Sequence, residues 1–577
     1  MNFESLANEL ILDLFEYLSF CDLIHGFNSL NCRIDNILFD YFHIHGVDLR
    51  SISKREFNII CRHLSSISNK INSLSLSEND DTPGEIYQFY YNGFTLRQFV
   101  YLQRLSLYNI YSEDIIKRIV LDLSYLNNIN YLKFDECCFT YDEKNLLELI
   151  NIIWNLPKLT YCKIKMQINP QMYFPIPEFI SLTIEHLSLS NIEPRFNQMN
   201  YLFEKTPSLR YVSIDFHLNI SHQYKLSSMT SITTLNLSFF SIEYKILSNL
   251  FVSTPNLYRL KIDLPDMFID GIKWQKIIEN NLSKLKIFQF RMIDEIDNDY
   301  DKEEQINQIL NSFRSQFWIN NHQWFVQCDS NRDSNYILVY NLPYSFNNYY
   351  FQYPIQSKST YPFNDYKYSY NYVHRLTYKS NLSQYTIQSN IKFIKIRDLC
   401  IYIPTDDYLS TIIPTFQRLK LIEILSNGNE NQYYLIQFER LIDQIPHLTL
   451  IRIHNCSLTI LETLSIRNKF HSLSQIDLMS YNKWYNNDEC LILSRSLLYI
   501  KCKLLLIDVT NRTCIFQLVN TINNIQSINV RSKDDQFNNK STLNNDELVC
   551  WLRQCLPFSC FINRNYYPIS SIRLWIR

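Results

Sequence analysis

The spacing of apolar residues at the start of the chain predicts three short helices. Apolar side chains recur at helical intervals on one side of the first helix: Leu10, Ile11, Leu14, Phe15 and Leu18. Ser19 and Asp22 have the spacing of a capping box, which predicts the start of a second helix, and a third begins near Asn31. Three helices of this length have more apolar surface than they can bury among themselves. This surplus predicts either a cap on a larger domain or a module that docks to another protein.

From about residue 70 onwards, a second apolar pattern recurs along the chain. It reads apolar-x-x-apolar-x-apolar, as in Leu102–Leu107. The middle apolar residue falls at positions 105, 132, 162, 187, 212, 235, 260 and 288, so that successive differences are 27, 30, 25, 25, 23, 25 and 28. Alternation over so few residues predicts a short strand with one buried face. Each unit of this repeat is therefore expected to contribute one strand.

Amphipathic stretches between these strands predict helices. One carries an apolar stripe of Leu146, Leu149, Ile150 and Ile153. A proline lies five residues before the middle apolar residue in several units: Pro157, Pro207, Pro255 and Pro446. Because proline does not continue a helix comfortably, each is expected to end a helix and lead into the next strand. Strands alternating with helices predict an α/β fold.

The regular pattern is interrupted between about residues 301 and 390. This segment is rich in aromatic residues, including Trp318, Trp324, Tyr340, Tyr349, Tyr350, Tyr353 and Tyr372. Two stretches, Trp324–Val326 and Tyr336–Tyr340, predict strands, either as a hairpin or as a modified repeat. The aromatic residues are expected to form either an exposed surface for protein recognition or a core. Regular units are predicted to resume at Ile391–Ile396, Leu419–Ile424, Leu448–Ile453, Leu473–Leu478 and Ile525–Val530.

The first 45 residues resemble the F-box. The resemblance lies in Leu6–Leu10, Leu14–Phe15, Tyr17–Leu18, Asp22–Leu23 and Leu30–Arg33, in the order of the motif. Ala7 stands where the family usually has proline, and no tryptophan follows Arg33 closely. The resemblance implies docking to a Skp-family adaptor and, through it, to a cullin in an SCF-type ubiquitin ligase. The residues implied to bind the adaptor are Leu6, Leu10, Leu14, Phe15, Leu18, Leu23 and Phe27.

The repeated units resemble degenerate leucine-rich repeats, which have one strand per unit and a period in the twenties. Asn79, Cys137, Asn427 and Cys456 fit the family's Asn/Cys position, but apolar residues occupy it in other units. The resemblance implies an irregular solenoid that binds a target protein. The predicted domains are an F-box at 1–45, a first solenoid part at 46–300, an irregular aromatic insert at 301–390, and a second solenoid part with a C-terminal cap at 391–577.

Composition narrows the choice of partner and compartment. Lys+Arg 55 against Asp+Glu 57 gives a net charge of −2, which favours neither nucleic acid nor an anionic membrane. The start lacks the basic region of a secretory signal, and no stretch reaches the ~18 apolar residues of a membrane span. The 15 cysteines show no paired spacing, which favours free thiols and a cytoplasmic or nuclear location.

The sequence lacks the motifs of common enzymes and metal sites. Its six glycines are too scattered for a phosphate-binding loop, a dinucleotide fingerprint or a nucleophile elbow. His43 and His45 lack further ligands at zinc spacing, and the thiols of Cys550, Cys555 and Cys560 are expected to be buried. We therefore predict no enzyme, no metal and no cofactor. The predicted function is a substrate receptor; the alternative is a repeat scaffold whose N-terminal helices only cap the solenoid.

Overall fold

The chain adopts an α/β fold in which most strands pair in parallel and helices lie between them. The computed structural model describes residues 6–139, 143–168, 172–220, 226–295, 301–331, 335–352, 355–362, 370–380, 391–406, 408–426, 432–454, 472–479, 483–537, 546–565 and 571–576. Two compact units make up the chain: residues 1–215 together with 556–577, and residues 216–555. The boundaries between these two units differ from the boundaries of the four predicted domains.

Three helices open the first unit, as the apolar spacing predicts. They are α1 (Asn8–Phe15), α2 (Phe20–Phe27) and α3 (Cys32–His45). The predicted capping box is confirmed: the Asp22 N–H donates to Ser19 Oγ at 3.2 Å, and the Ser19 N–H donates to the Asp22 carboxylate at 3.2 Å. The third helix begins directly after Asn31, whose Oδ1 accepts the Ile34 N–H at 2.9 Å.

The strands between residues 47 and 220 lie side by side in chain order, and each described pairing between neighbours is parallel. In sequence, the elements are β1 (Val47–Asp48), α4 (Lys54–Ile67), β2 (Ser73–Ser77), α5 (Glu85–Tyr91), β3 (Arg104–Tyr108), α6 (Glu113–Leu123), β4 (Tyr131–Phe139), α7 (Glu143–Trp154), β5 (Tyr161–Ile168), β6 (His186–Ser190), α8 (Met199–Glu204) and β7 (Tyr211–Ile220). Short 3₁₀ turns span Ser68–Lys70, Leu96–Gln98 and Phe196–Gln198.

The middle apolar residues of the repeated pattern are direct neighbours across these strands. Leu105, Leu132, Cys162, Leu187 and Val212 form one continuous row of register partners. All five are completely buried. The regular sequence spacing is therefore confirmed as in-register parallel strands with one face covered, as a period-2 pattern requires.

The second unit contains two sheets. Its first part comprises β8 (Thr234–Ile242), α9 (Tyr244–Val252), β9 (Arg259–Leu264), α10 (Gly271–Asn281), β10 (Ile287–Glu295) and α11 (Lys302–Ser312). Of the two predicted arrangements, the hairpin is present, as the antiparallel pair β11 (Val326–Asn331) and β12 (Tyr336–Asn341). The second strand lies where it was predicted, whereas the first begins at Val326, where the predicted stretch Trp324–Val326 ends. Here β12 lies antiparallel to β10, so parallel pairing within this sheet ends at β10. A later strand, β14 (Ile355–Ser359), lies on the other side of β11.

The other sheet of the second unit is parallel. Its elements are β13 (Asn348–Gln352), β15 (Arg375–Lys379), β16 (Asp398–Ile403), α12 (Tyr408–Ile412), β17 (Leu421–Ser426), α13 (Gln432–Asp443), β18 (Leu450–His454), β19 (Gln475–Asp477), α14 (Asn487–Ile500), β20 (Leu504–Val509), α15 (Arg512–Thr521) and β21 (Ser527–Ser532), followed by α16 (Glu547–Cys555). The strand predicted within Ile391–Ile396 is wrong. Strand β16 begins at Asp398 instead. Ile391, Phe393 and Ile396 are buried as predicted, but they lie outside any strand, and the Phe393 N–H donates to the Ile412 carbonyl at 2.7 Å.

The predicted prolines lie where helices give way to strands. Pro157 and Pro207 stand three residues after α7 and α8 end, and Pro255 and Pro446 hold the same place after α9 and α13. At the repeat position occupied by Cys137, the thiol lies 3.7 Å from the Leu107 carbonyl of the preceding strand. Asn427 and Cys456 lie outside the described residues.

A hairpin from the end of the chain belongs to the first unit. It consists of β22 (Phe561–Asn565) and β23 (Ser571–Trp575). The Trp575 ring lies 5.6 Å from that of Phe57 on α4, and the Phe561 ring lies 5.6 Å from that of Tyr87 on α5. Arg573 Nη1 donates to the Glu78 carbonyl at 2.6 Å. The hairpin therefore forms part of the core around the first strands.

Candidate functional site

The three N-terminal helices, which we call the head, enclose a small aromatic core. Phe15 on α1 lies at its centre, with its ring 5.0 Å from that of Phe27 and 5.6 Å from that of Tyr41. Phe20 on α2 packs at 4.7 Å against Phe42 on α3. Burial of each such side chain contributes about 1.5–3 kcal/mol, so these contacts are sufficient to hold three short helices together.

Helix α1 has two apolar stripes, one inside the head and one outside. Ile11 and Phe15 are completely buried. Leu10 and Leu14 face outward, with 54% and 40% of their surface exposed, and Tyr17 just beyond the helix is 87% exposed. Leu10 and Leu14 have the i, i+4 spacing of one helical face. Tyr17 follows after the helix, where its N–H donates to the Leu14 carbonyl at 3.1 Å. We call these three exposed residues the outer stripe of α1; exposed apolar patches mark interaction sites.

The predicted docking residues fall into three groups. Leu10 and Leu14 are exposed, and Leu6, Leu18 and Phe27 are half-buried. Phe15 and Leu23 are buried in the head, where they help to hold its helices together, and their contact with a partner stays a prediction. Tyr17 and Leu30 are exposed and were missed. The sequence could have indicated Tyr17, because it stands seven residues after Leu10.

Arg33 ties the beginning of α1 to the beginning of α3. Its Nε and Nη2 donate to Asn8 Oδ1 at 3.0 and 2.7 Å, and Nη2 also donates to the Leu6 carbonyl at 2.5 Å. Ala7, between these acceptors, offers α1 no side-chain cap. The guanidinium therefore ties the start of α1 to α3 at a position where the helix has no side-chain cap of its own.

The opposite side of the head is attached to the rest of the first unit. Asn28 Nδ2 lies 3.1 Å from His63 Nδ1 on α4, and His43 Nδ1 lies 3.1 Å from the Lys70 carbonyl. The Lys70 ammonium is 3.6 Å from the centre of the Phe39 ring. Burial at this junction raises the pKa of the Cys21 thiol to about 12. The head therefore has one side committed to its own chain and the outer stripe of α1 on the surface.

The aromatic segment of the second unit forms core around a buried carboxylate. Asp329 accepts hydrogen bonds from Tyr340, Tyr349, Ser357 and Gln327. Burial raises the pKa of Asp329, and these hydrogen bonds partly offset the rise. Of the aromatic residues singled out in the sequence, Trp318, Trp324, Tyr340 and Tyr349 are buried, Tyr350 and Tyr372 are exposed, and Tyr353 lies outside the described residues. Most of this segment thus serves packing and is not available to a partner.

Candidate metal ligands do not converge in the described parts of the chain. Among those residues, no group of three or more His, Cys, Asp or Glu side chains is placed to hold an ion. The His45 ring stacks on Tyr41 at 4.2 Å instead. The expectation of buried thiols near the end of the chain is wrong, since Cys550 and Cys555 are exposed and Cys560 is half-buried. None of the described helices combines the length and apolarity needed to cross a bilayer.

The sequence matches no known protein-family model. It also matches no curated protein. The function of the head must therefore be inferred from its own residues and their geometry.

Proposed function

We propose that this protein is the substrate-recognition subunit of an SCF-type ubiquitin ligase. In this proposal, the head is an F-box that docks on a Skp-family adaptor and, through it, on a cullin. The remaining parallel strands and helices form an irregular leucine-rich-repeat solenoid that binds the target protein. The chain supplies no catalytic residue and acts in the cytoplasm or nucleus.

The observation that carries the proposal is the outer stripe of α1. Leu10, Leu14 and Tyr17 remain exposed although Ile11 and Phe15, next to them in sequence, are completely buried. A helix that only capped a larger domain would have no need of apolar residues on its solvent side. Burying an exposed stripe of this kind against a partner helix contributes about 25 cal/mol for each Å² of apolar surface removed from water.

The strand arrangement supports the second part of the proposal. Along these strands, the side chains that alternate with the buried row are exposed or half-buried, and they include polar, charged and aromatic residues such as Arg104, Lys133 and Tyr161. A polar sheet face of this kind fits recognition of another protein. Holding a target beside the ubiquitin-charged enzyme would raise the effective concentration of its lysines, and no chemistry by this chain is required.

The test is the double substitution Leu10→Asp with Leu14→Asp in the full chain. Both side chains are exposed, so the melting temperature is expected to remain that of the unsubstituted protein. Two charges placed in an apolar interface are expected to abolish co-purification with the co-expressed adaptor. The readouts are adaptor recovery in a pull-down and thermal unfolding followed by circular dichroism.

A matched control places the same charges on another exposed apolar site of the first unit. Ile180→Asp with Leu182→Asp changes two exposed residues that lie outside the head. This variant is expected to retain the adaptor. Retention of the adaptor by the Leu10/Leu14 variant would contradict the proposal.

A non-enzymatic repeat scaffold is the second candidate. The attachment of the head through His63 and Lys70 favours it, because these contacts are those of a cap. The two candidates differ in the adaptor experiment. A scaffold would recover no adaptor even without substitution, whereas a ligase subunit would recover it and lose it on substitution at the outer stripe.

The Leu10/Leu14 variant also offers a route to the target. A receptor that binds its target but no longer reaches the ligase is expected to accumulate that target. Comparing proteins captured by this variant with those captured by the Ile180/Leu182 control would identify candidates. This approach keeps the head in place, which matters because its removal would uncover the side of α4 on which it packs.

A further inference from the structure

A groove lies between α4 and the C-terminal hairpin of the first unit. It has a volume of about 390 Å³. Its walls are Lys54, Arg55, Asn58, Ile59, Arg62, Ser559 and Ile576. The α4 members recur at positions 54, 55, 58, 59 and 62, which place them on one side of the helix. The groove is separate from the outer stripe of α1.

The groove carries three positive charges and no carboxylate in its wall. Lys54 Nζ donates to the Ser559 carbonyl, which is neutral. Arg55 and Arg62 are exposed, and no ion pair involves either guanidinium in the described chain. The nearest acid in sequence, Glu56, is taken up by the capping box of α4, where its carboxylate accepts the Ser53 N–H at 2.7 Å. Among the described residues that line the groove, none therefore carries a negative charge that would compensate these cations.

An apolar element accompanies these charges. Phe558, which directly precedes Ser559, is completely exposed to solvent. It lies in a turn closed by the Cys560 N–H and the Pro557 carbonyl at 2.8 Å, so its backbone is held in place. Ile59 and Ile576 provide apolar surface within the groove itself. Phe558 is not itself in the wall of the groove but is the neighbour in sequence of Ser559, which is. Aromatic residues and arginine, the two residue types found here, are enriched at protein interfaces.

We propose that this groove binds an acidic segment of a partner protein, with carboxylate or phosphate groups on Arg55, Arg62 and Lys54 and an apolar side chain near Phe558. Arg55 and Arg62 are seven residues apart on a helix, which corresponds to about 10 Å. An extended peptide covers that distance in about three residues. Acidic side chains two to four positions apart in such a segment would therefore reach both guanidinium groups.

A peptide fits the groove better than a small anionic metabolite does. Small-molecule sites typically bury most of their ligand in an enclosed and mainly apolar cavity. Here Arg55, Asn58 and Arg62 are all exposed, so the groove is open along α4. An extended segment can follow the helix and satisfy several separated charges at once. The proposal is independent of adaptor docking, because it involves other residues.

The experiment is a binding titration of labelled peptides against the full-length protein, followed by fluorescence anisotropy. Three probes share a central Phe: one flanked by Glu, one flanked by phosphoserine, and one flanked by Lys. The Glu and phosphoserine probes are expected to bind and the Lys probe is not. Added salt is expected to weaken binding, because it screens exposed charges. The tighter of the two acidic probes then identifies a carboxylate-rich or a phosphorylated segment as the source of the negative charge.

Charge reversal tests the assigned residues. Arg55→Glu with Arg62→Glu is expected to weaken binding of the acidic probes at least tenfold without changing the melting temperature, since both side chains are exposed. The control, Lys245→Glu with Lys276→Glu, makes the same change in net charge at exposed positions on α9 and α10. It is expected to bind within twofold of the unsubstituted protein. Phe558→Ala is expected to weaken binding about fivefold and to leave the salt dependence unchanged.

Several outcomes would overturn the proposal. They are equal binding of the Lys probe, equal binding by the Arg55/Arg62 variant and its control, and binding of only ATP or only phosphatidylserine vesicles. The proposal remains testable if the Arg55/Arg62 variant does not fold. In that case, equal binding of the Glu and Lys probes to the Phe558→Ala variant or to the unsubstituted protein would overturn it. The Leu10/Leu14 variant should bind the acidic probes normally, so that failure here is distinct from failure of adaptor docking.

Discussion

Glu85, at the first position of α5, is a buried carboxylate with incomplete hydrogen bonding. Its Oε1 accepts the Ser77 N–H at 3.2 Å, while Oε2 has no partner within the described chain. Burial raises the pKa of Glu85 well above its usual value, and the negative charges of Asp81 and Asp48 raise it further. The folded protein therefore holds a proton on Glu85 at pH values where the unfolded chain has released it.

This proton makes stability depend on pH. When the folded state binds more protons than the unfolded state, the free energy of unfolding falls as pH rises. The full contribution of Glu85 is thus present below the unfolded pKa of ~4.3 and is lost as pH rises towards the folded value. Because Glu85→Gln has no carboxyl group to ionise, its stability relative to the unsubstituted protein is expected to rise from pH 5 to pH 8. Urea unfolding at both pH values measures this difference.

The control is Glu9→Gln, which changes an exposed carboxylate on α1. Its stability relative to the unsubstituted protein is expected to be the same at the two pH values. A Glu85→Gln variant with equally constant relative stability would show that Glu85 ionises freely in the folded state.

Element positions were largely predictable from the sequence, because each depends on a local pattern. The alternation of apolar residues predicted the positions of strands β2 to β10, and the capping box predicted the start of helix α2. Strand β20 was missed because Leu504–Val509 is an almost unbroken apolar run that is buried on both faces, and such a run has no alternation to detect. The sequence also did not separate Leu10 from Ile11. Both are apolar and adjacent on the helix, and only the packing of α1 against α3 decides which one is covered.

The capping box of α2 tests how much a local element supports the head. Ser19→Ala removes the acceptor for the Asp22 N–H and is expected to destabilise α2 by about 1 kcal/mol. Faster hydrogen exchange of the α2 amides, with no change in the amides of β3 to β5, is the expected result. Ser65→Ala, at an exposed position inside α4, removes a hydroxyl without removing a cap and should leave exchange in α2 unchanged.

At the scale of the whole molecule, the first unit is assembled from distant parts of the chain. Lys54 and Ser559 are 505 positions apart, and Arg573 and Glu78 are 495 positions apart, yet each pair is joined by a hydrogen bond. Trp575 is completely buried there and packs on Phe57. Contacts between residues so far apart in sequence leave no signal in local patterns, so the sequence did not predict this arrangement.

Trp575→Ala is expected to lower the free energy of unfolding of the first unit by about 3–5 kcal/mol, because it empties a large buried site. Hydrogen exchange of the α4 and α5 amides would report the loss in the unit itself. Phe558→Ala provides the control within the same segment. Its ring is completely exposed, so its removal should change stability by no more than about 0.5 kcal/mol. Equal effects of the two variants would contradict the described packing of the hairpin.

The place of the hairpin has a consequence for biosynthesis. Ribosomes add roughly 5–20 residues per second, so Trp575 is synthesised roughly 25–100 s after Phe57, the α4 residue on which it packs. During this interval Phe57 and its neighbours on α4 lack their cover, and nascent chains that expose apolar surface are bound by chaperones. A ribosome that stalls late in the message would therefore release a polypeptide whose earliest-made unit is still open, and which cellular quality control can distinguish from the finished protein.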